Sequence, residues 1–403
     1  MNEPKLRFKA DDGSEFPDWE EKKLNEIAVR VTRKNKDNVT DIPLTISSAD
    51  GLIDQRNFFN KVVASKDMSG YYLLKNGEFA YNKSYSKGYD FGSIKRLDLY
   101  DEGALSTLYI CFTLNKNENS DFYQKYFDSL SWYPELQKIC AEGARNHGLL
   151  NVPTNDFFQL KLCVPSSDKE QQKIADFLST VDAVIEKQKA TVSAWEERKK
   201  GVMQKLFSQE VRFKADDGSD FPEWEEKKLG DVFTERTERS KGGESLLSVT
   251  IAQGIIKQSE TGKRNIASEN KSNYKIVKKN DLAYNTMRMW QGAEGVSEYD
   301  GIVSPAYTVI TAVDGNNSYF FETMFKQTFM LQVFQRFSQG LTSDTWNLKF
   351  PAFSEIKCQV PCEDEQNKIV ECVAVLDEVI EKQKATLAAW EELKKGLLQQ
   401  MFV

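Results

Sequence analysis

Nineteen residues near the start of the chain, Leu6-Arg-Phe-Lys-Ala-Asp-Asp-Gly-Ser-Glu-Phe-Pro-Asp-Trp-Glu-Glu-Lys-Lys-Leu24, return almost unchanged as Val211-Arg-Phe-Lys-Ala-Asp-Asp-Gly-Ser-Asp-Phe-Pro-Glu-Trp-Glu-Glu-Lys-Lys-Leu229, at an offset of 205. A second stretch, Glu170 to Gly201, returns as Glu365 to Gly396 at an offset of 195. A repeat of this kind constrains the architecture before any local pattern is read, because each copy must fold as the same unit. Between the near-identical ends the copies diverge, yet a skeleton persists. Gly51-Leu-Ile matches Gly254-Ile-Ile, and Tyr71 to Asn82 matches Tyr274 to Asn285, both at offset 203. The middles are one fold carrying two different surfaces. Identical frames around different inserts imply that the frames meet something common and the inserts something different. Drift after a duplication would not spare the ends alone.

The repeated C-terminal frames carry a helix signal. Ile174, Leu178, Val181, Ile185, Gln188, Val192, Trp195, Lys199, Val202 and Leu206 recur at spacings of 4, 3, 4, 3, and the second copy keeps the register with Ile369, Val373, Leu376, Ile380, Gln383, Leu387, Trp390, Lys394, Leu397 and Met401. A 3.5-residue repeat held over several heptads is the seam of a coiled coil. Gln188 and Gln383 read as register-setting polar residues, and Lys199 and Lys394 as stems that snorkel from the seam. Pro165 and Pro361 precede the helices, and Asp168, Glu170, Glu363, Asp364 and Glu365 favour their positive starts. The first helix, running to about residue 206, would span ~57 Å at ~1.5 Å per residue. Matched seams and the chain order predict that the two helices pair antiparallel.

Residues 22 to 165 and 227 to 361 hold short β-rich runs, such as Gly77-Glu-Phe-Ala-Tyr81 and Gly301 to Ile310, between Gly, Asn and Asp turns. Each also holds a predicted helix, Phe122 to Ala141 and Tyr319 to Gln339, closed by Gly143 or Gly340. The fold class is α+β: two compact β-rich domains with short helices, separated by a long antiparallel two-helix coiled coil. The expected boundaries are 1–165, 166–208, 209–361 and 362–403.

Aromatics, Asn, Lys and Arg cluster after the shared Ala-Tyr-Asn strand: Tyr81, Asn82, Lys83, Tyr85 and Lys87 in one copy, Tyr284, Asn285, Arg288 and Trp290 in the other. Arg, Lys and Asn are side chains that bond base edges, so loops that differ in these residue types between copies read as sequence readers. The loops after the predicted helices are the second candidate, with Arg145, Asn146 and His147 against Thr342, Ser343 and Trp346. The plainer reading of any one of them is a solvated loop position or a local turn.

The net charge of -7 argues against a nucleic-acid ligand, yet the average hides the distribution. Residues 22 to 165 carry 19 Lys and Arg against 17 Asp and Glu, and residues 227 to 361 carry 17 against 14, so the acid lies in the connecting segments. The six cysteines include no C-x-x-C and read as reduced thiols; with one histidine, His147, no zinc constellation or His-based triad can be built. Thr261-Gly-Lys263 fails as a phosphate loop, since Lys257 stands where the first glycine belongs and Arg264 where Ser or Thr does. No methyltransferase tetrapeptide or glycine-rich cofactor loop is found. The reading is of a non-catalytic chain without metal or cofactor. The opening residues resemble neither a signal peptide nor a transit peptide, and the expectation is a cytoplasmic protein with no membrane contact.

The duplicated Phe-Pro-x-Trp-Glu-Glu-Lys-Lys-Leu, and the duplicated Glu-Gln-x-Lys-Ile followed by a seam helix ending in Trp-Glu-Glu-x-Lys-Lys-Gly, resemble the specificity (S) subunits of type I restriction-modification systems over essentially the whole chain. The resemblance implies two target-recognition domains, each reading one half of a bipartite site in double-stranded DNA, with the paired helices setting the distance between halves. It implies two methyltransferase (M) subunits that bring S-adenosylmethionine and methylate adenine, and ATP- and Mg-dependent restriction (R) subunits. By the same analogy Trp19, Trp224, Trp195 and Trp390 face one another or the M subunits. The rival reading is a coiled-coil scaffold whose end domains bind proteins or small ligands, which suits the acidic pI better.

Overall fold

The computed structural model describes residues 3–48, 50–58, 64–140, 150–262 and 270–403, and divides the chain into two units, Met1–Ala190 with Lys384–Val403, and Thr191–Gln383. Each unit holds one domain and half of each long helix.

In the first unit the central sheet has four antiparallel strands in the order Ala28–Arg30, Ile110–Leu114, Phe79–Asn82, Ser93–Arg96. Side chains alternate across a strand. Phe79 and Tyr81 therefore enter one core with Phe112, Phe127, Trp132 and Phe157, while Ala80 and Cys111 enter a second core with Leu44, Leu52, Leu74 and Leu105. The second unit repeats the topology with Phe233–Glu235, Tyr307–Ala312, Leu282–Asn285 and Glu294–Val296. Leu282 and Tyr284 face one core and Ala283 the other. The duplication read in the sequence is a duplication of topology and of core faces.

The predicted single helices are each broken in two. Ser120–Ser129 ends at Leu130, which adopts left-handed backbone (φ 65°), and Tyr133–Ile139 restarts with Pro134 in its first turn, where the missing N–H costs no bond. In the second unit, Ser318–Phe325 and Thr328–Phe337 are separated by extended backbone at Gln327. Gly340 does not close the helix, which stops at Phe337. It lies instead in a turn between Gln339 and Asn347, whose backbones bond to each other in both directions. The predicted helix stop at Gly143 lies outside the described residues. The run from Gly301 to Ile310 is likewise two strands, Gly301–Val303 and Tyr307–Ala312.

The long helices are Asp168–Phe207 and Glu363–Met401. In the first unit Ile174, Ala175 and Leu178 share a core with Leu398, Met401 and Phe402, so the start of one helix lies against the end of the other. In the second unit Met203 and Leu206 share a core with Ile369 and Val373, the same antiparallel arrangement. Of the seam positions, Ile174, Leu178, Val181, Ile185, Val192, Leu206, Ile369, Val373, Ile380 and Met401 are buried. Trp195, Val202, Leu376, Leu387, Trp390 and Leu397 are half-buried. Where the seam reaches Val202 and Leu397 it is the next residue, Met203 or Leu398, that is buried, because those turns face a domain core as well as the opposite helix, and the seam register resumes at Leu206 and Met401.

Lys199 and Lys394 do more than snorkel. Lys199 Nζ meets Asp377 at 2.5 Å, and Lys394 Nζ meets Asp182 at 2.6 Å, the same pair at an offset of 195. Asp182 also accepts from Lys125 of the domain helix at 2.6 Å. Burial pushes the Asp182 carboxyl up, but the hydrogen bonds from Lys125 and Lys394 outweigh it and hold the group below its ordinary value.

Much of the sequence shared by the two frames is used inside each unit. The Arg7 guanidinium donates to both oxygens of buried Glu170 at 2.8 and 3.0 Å, and Trp19 Nε1 donates to the same carboxylate at 3.3 Å. Arg212 donates to Glu365 at 3.1 and 2.8 Å, and Trp224 at 3.1 Å. The adjacent Gln171 and Gln366 each close the helix start by donating to the carbonyl of Pro165 or Pro361 at 2.9 Å. Strand Trp19–Lys23 then pairs with Lys161–Pro165, and Glu225–Lys228 with Lys357–Val360. Of the two alternatives for Trp19 and Trp224, the structure has them buried against the shared helix ends, Trp19 on Phe402 and Trp224 on Phe207, and not presented outward.

Candidate nucleic-acid interface

The strand shared by both domains ends at Asn82 and Asn285, and the candidate loops begin there. A short polar side chain at a strand end bonds the backbone two residues on and turns the chain. Asn82 Oδ1 accepts the N–H of Ser84 and Asn285 Oδ1 that of Met287, both at 3.0 Å. The two asparagines are turn formers, which accounts for their presence in both copies.

Tyr81 and Tyr284 are core residues, and this corrects their reading as base contacts. Both rings are fully buried, Tyr81 stacked on Phe157 at 4.9 Å and Tyr284 on Phe353 at 5.2 Å. Tyr81 also donates to the Phe91 carbonyl at 2.8 Å, and burial pushes both phenols far up. A ring with no exposed surface cannot touch a base. Lys83 is turned inward as well, donating to the Val152 carbonyl at 3.1 Å, and burial together with Arg30 lowers its ammonium. Lys83 holds the loop in place and is not a free cation.

Exposed on the first loop are Tyr85 and Lys87. The loop is tied back by Ser86, whose hydroxyl lies 2.9 Å from that of Ser48, itself 3.1 Å from Ser93. Arg145, Asn146 and His147 lie outside the described residues. The segment that follows them returns to the first loop, since Leu150 donates its N–H to the Lys83 carbonyl at 2.9 Å.

The second domain shows the full arrangement. Leu348 donates to the Thr286 carbonyl at 2.8 Å, and Trp290 meets Trp346 edge to face at 5.2 Å, which joins the two predicted loops into one surface. Arg288 is half-buried, and its guanidinium has no hydrogen bond or ion pair among the described residues. Thr342 and Ser343 are exposed on the neighbouring turn. That turn is pinned by Thr345, whose hydroxyl accepts from the Thr342 N–H at 3.1 Å and donates to the Thr342 carbonyl at 2.9 Å. Sequence reasoning singled out Arg288, Thr342, Ser343 and Trp346 but missed Met287, Phe337 and Leu341, which are exposed beside them. Met287 and Leu341 carry a signal as large apolar residues inside stretches read as loops, whereas Phe337 falls within the predicted helix Tyr319 to Gln339 and carries none.

The surface is built for contact. Among the described residues no group of three or more His, Cys, Asp or Glu side chains is placed to hold a metal ion. Unpaired donors and apolar tips on pinned loops can meet hydrogen-bonding and apolar groups of a ligand, and the first and second loops carry different sets of them.

The chain matches the family model described as type I restriction modification DNA specificity domain twice, over residues 17–192 and 222–389. No curated protein matches it in sequence. Among solved structures it is similar to the S subunit of the type I restriction-modification system from M. genitalium, with 15% identity, TM-score 0.53, and coverage of 100% of this chain and 99% of that one. It is also similar to a chain from a structure on complex assembly and conformational transition of the type I R-M system, with 16% identity, TM-score 0.54, and coverage of 96% and 98%. At these identities the likeness is one of fold.

Proposed function

The chain belongs to the type I restriction-modification DNA specificity family, and on that premise we propose that its two domains, residues 1–165 and 209–361, each read one half of a bipartite DNA site. The protein is a DNA sequence-specificity subunit, of a family that assembles with methyltransferase and restriction subunits. The readers are the paired loops that follow the shared strand and the domain helices: Lys87 with the 145–147 segment in the first domain, Arg288 with Thr342, Ser343 and Trp346 in the second. The chain itself is non-catalytic and cytoplasmic. S-adenosylmethionine, ATP and Mg are bound by its partners, and the two repeated frames engage two methyltransferase subunits. The helix pair of residues 166–208 and 362–403 sets the half-site spacing.

One observation carries this reading. Two domains of the same topology and core faces present different side chains at corresponding loop positions, as the pairs Tyr85 and Arg288, or Lys87 and Trp290, illustrate. A frame that is kept and a tip that varies is what reading two unlike half-sites requires. Co-expressing the chain with its methyltransferase partner and mapping methyladenine across the host genome tests it. A motif of two specified blocks around an unspecified spacer is expected. A continuous motif, or no methylation with both proteins folded and associated, would remove the proposal.

A further inference from the structure

The reading surface of the second domain is apolar. Leu341 is 101% exposed, against 66% for Leu108, the next most exposed large apolar side chain among the described residues. Met287 and Phe337 are each 40% exposed, and Trp290 and Trp346 are half-buried against each other. Single exposed leucines are ordinary on protein surfaces. This one is not isolated, because the segment around Trp290 packs on helix Thr328–Phe337 and the backbone of Leu348 bonds to Thr286. The turn that carries Leu341 is held open by the Gln339–Asn347 backbone pair and by the two bonds of the Thr345 hydroxyl, so the side chain is projected from a fixed base. Charge is scarce here: Arg288 and Asp344 are the only ionic residues in 286–292 and 340–347. Such a surface is poorly suited to phosphates, which want Lys and Arg.

Resting on the function proposed above, we infer that this patch reads thymine by its C5-methyl group, with Leu341 as the contacting side chain. The methyl is the one apolar group that any base presents in the major groove. The first domain differs in chemistry: its loop offers Tyr85, Ser86, Lys87 and Tyr89. The dependence on thymine methyls is expected at the half-site read by the second domain, whose described loops carry this apolar patch.

The test uses the full chain assembled with its methyltransferase subunits and a duplex carrying the mapped site. Each thymine of both half-sites is replaced singly by deoxyuridine, which removes only the methyl, and Kd is measured for the wild type and for Leu341→Ala. In one half-site, at least one replacement should weaken wild-type binding about fourfold, the loss expected for one buried methyl. Leu341→Ala should bind the thymine duplex about as weakly as the wild type binds the uracil duplex. It should lose almost nothing further on the replacement, and Leu341→Met should restore the discrimination. Undiminished discrimination in Leu341→Ala, or a wild type indifferent to every replacement, overturns the inference while site-specific binding leaves the function intact. Loss of assembly with the methyltransferase subunits in Leu341→Ala would mark the patch as a protein interface and overturn it as well. A wild-type complex with no preference for the mapped site would remove the functional reading itself.

Discussion

Glu294 occupies in the second domain the strand position that Ile94 occupies in the first, since Tyr284 faces Glu294 across the strands as Tyr81 faces Ile94. A carboxylate thus stands where the repeat has a core aliphatic. It is fully buried, and neither oxygen has a hydrogen bond among the described residues. The nearest cation, Lys326, is 3.9 Å away and already engaged with Glu322 at 2.7 Å. Burial holds the Glu294 carboxyl well above its ordinary range; Lys326 opposes the shift and Glu322 adds to it. A folded-state pKa above the unfolded value, about 4.3 for Glu, means that the native state holds the extra proton between the two values. Below the unfolded pKa the group adds no ionisation penalty, only that of a buried neutral carboxyl, and stability falls as pH rises from there toward the folded pKa. Glu294→Met should therefore stabilise the chain by about 1–3 kcal/mol at pH 8, where a buried charge or its neutralisation is most costly, and by much less at pH 5. Urea unfolding of both proteins at the two pH values checks this. An equal gain at both would place the effect in packing and not in ionisation.

Among the elements, the starts of the long helices are held by the Arg7–Trp19–Glu170 and Arg212–Trp224–Glu365 clasps, each joining the N-terminal strand of a unit to the helix that leaves it. Removing one carboxylate strands a guanidinium and an indole N–H in a largely buried place, and breaking a buried pair costs about 3 kcal/mol or more. Glu170→Ala should lower the stability of the chain by about that amount, and Arg7→Met with Glu170→Leu should recover most of it, both read from urea midpoints. The clasp also shows what was legible in the sequence. The seam and its antiparallel pairing were visible because a 3.5-residue period is local, and the duplicated domains because the repeat compares the chain with itself. The clasp was not, because Trp19 and Glu170 are 151 residues apart and no local period connects them. Their identity in both copies was read as a mark of shared partners, when an internal bond accounts for much of it. Tyr81 and Tyr284 were misplaced for a related reason. The strand ends one residue later, and alternation puts the asparagine, not the tyrosine, at the loop. The predicted single helices break at Leu130, where Pro134 inside the expected span is a signal the apolar pattern overrode, and at Gln327, whose residue type announces no break.

For the whole molecule, the proposed division of labour separates identity from distance: loops choose bases, and helix length chooses spacing. The two are physically independent, because no seam residue from Ile185 to Val192 belongs to a domain core. A heptad added to each long helix at equivalent places, after Val192 and after Leu387, keeps the 3.5-residue seam in register. It lengthens the pair by about 10 Å. At ~34 Å per turn of about ten base pairs, that is roughly three base pairs of DNA. Methylome mapping of the lengthened protein with its methyltransferase partner should return the same two specified blocks with about three more unspecified bases between them. An insertion in one helix alone leaves its ion pairs facing the wrong turn and should fail to assemble. If the lengthened protein instead changed the bases within either block, the helices would be shaping the loops, and spacing and identity would not be separable in this fold.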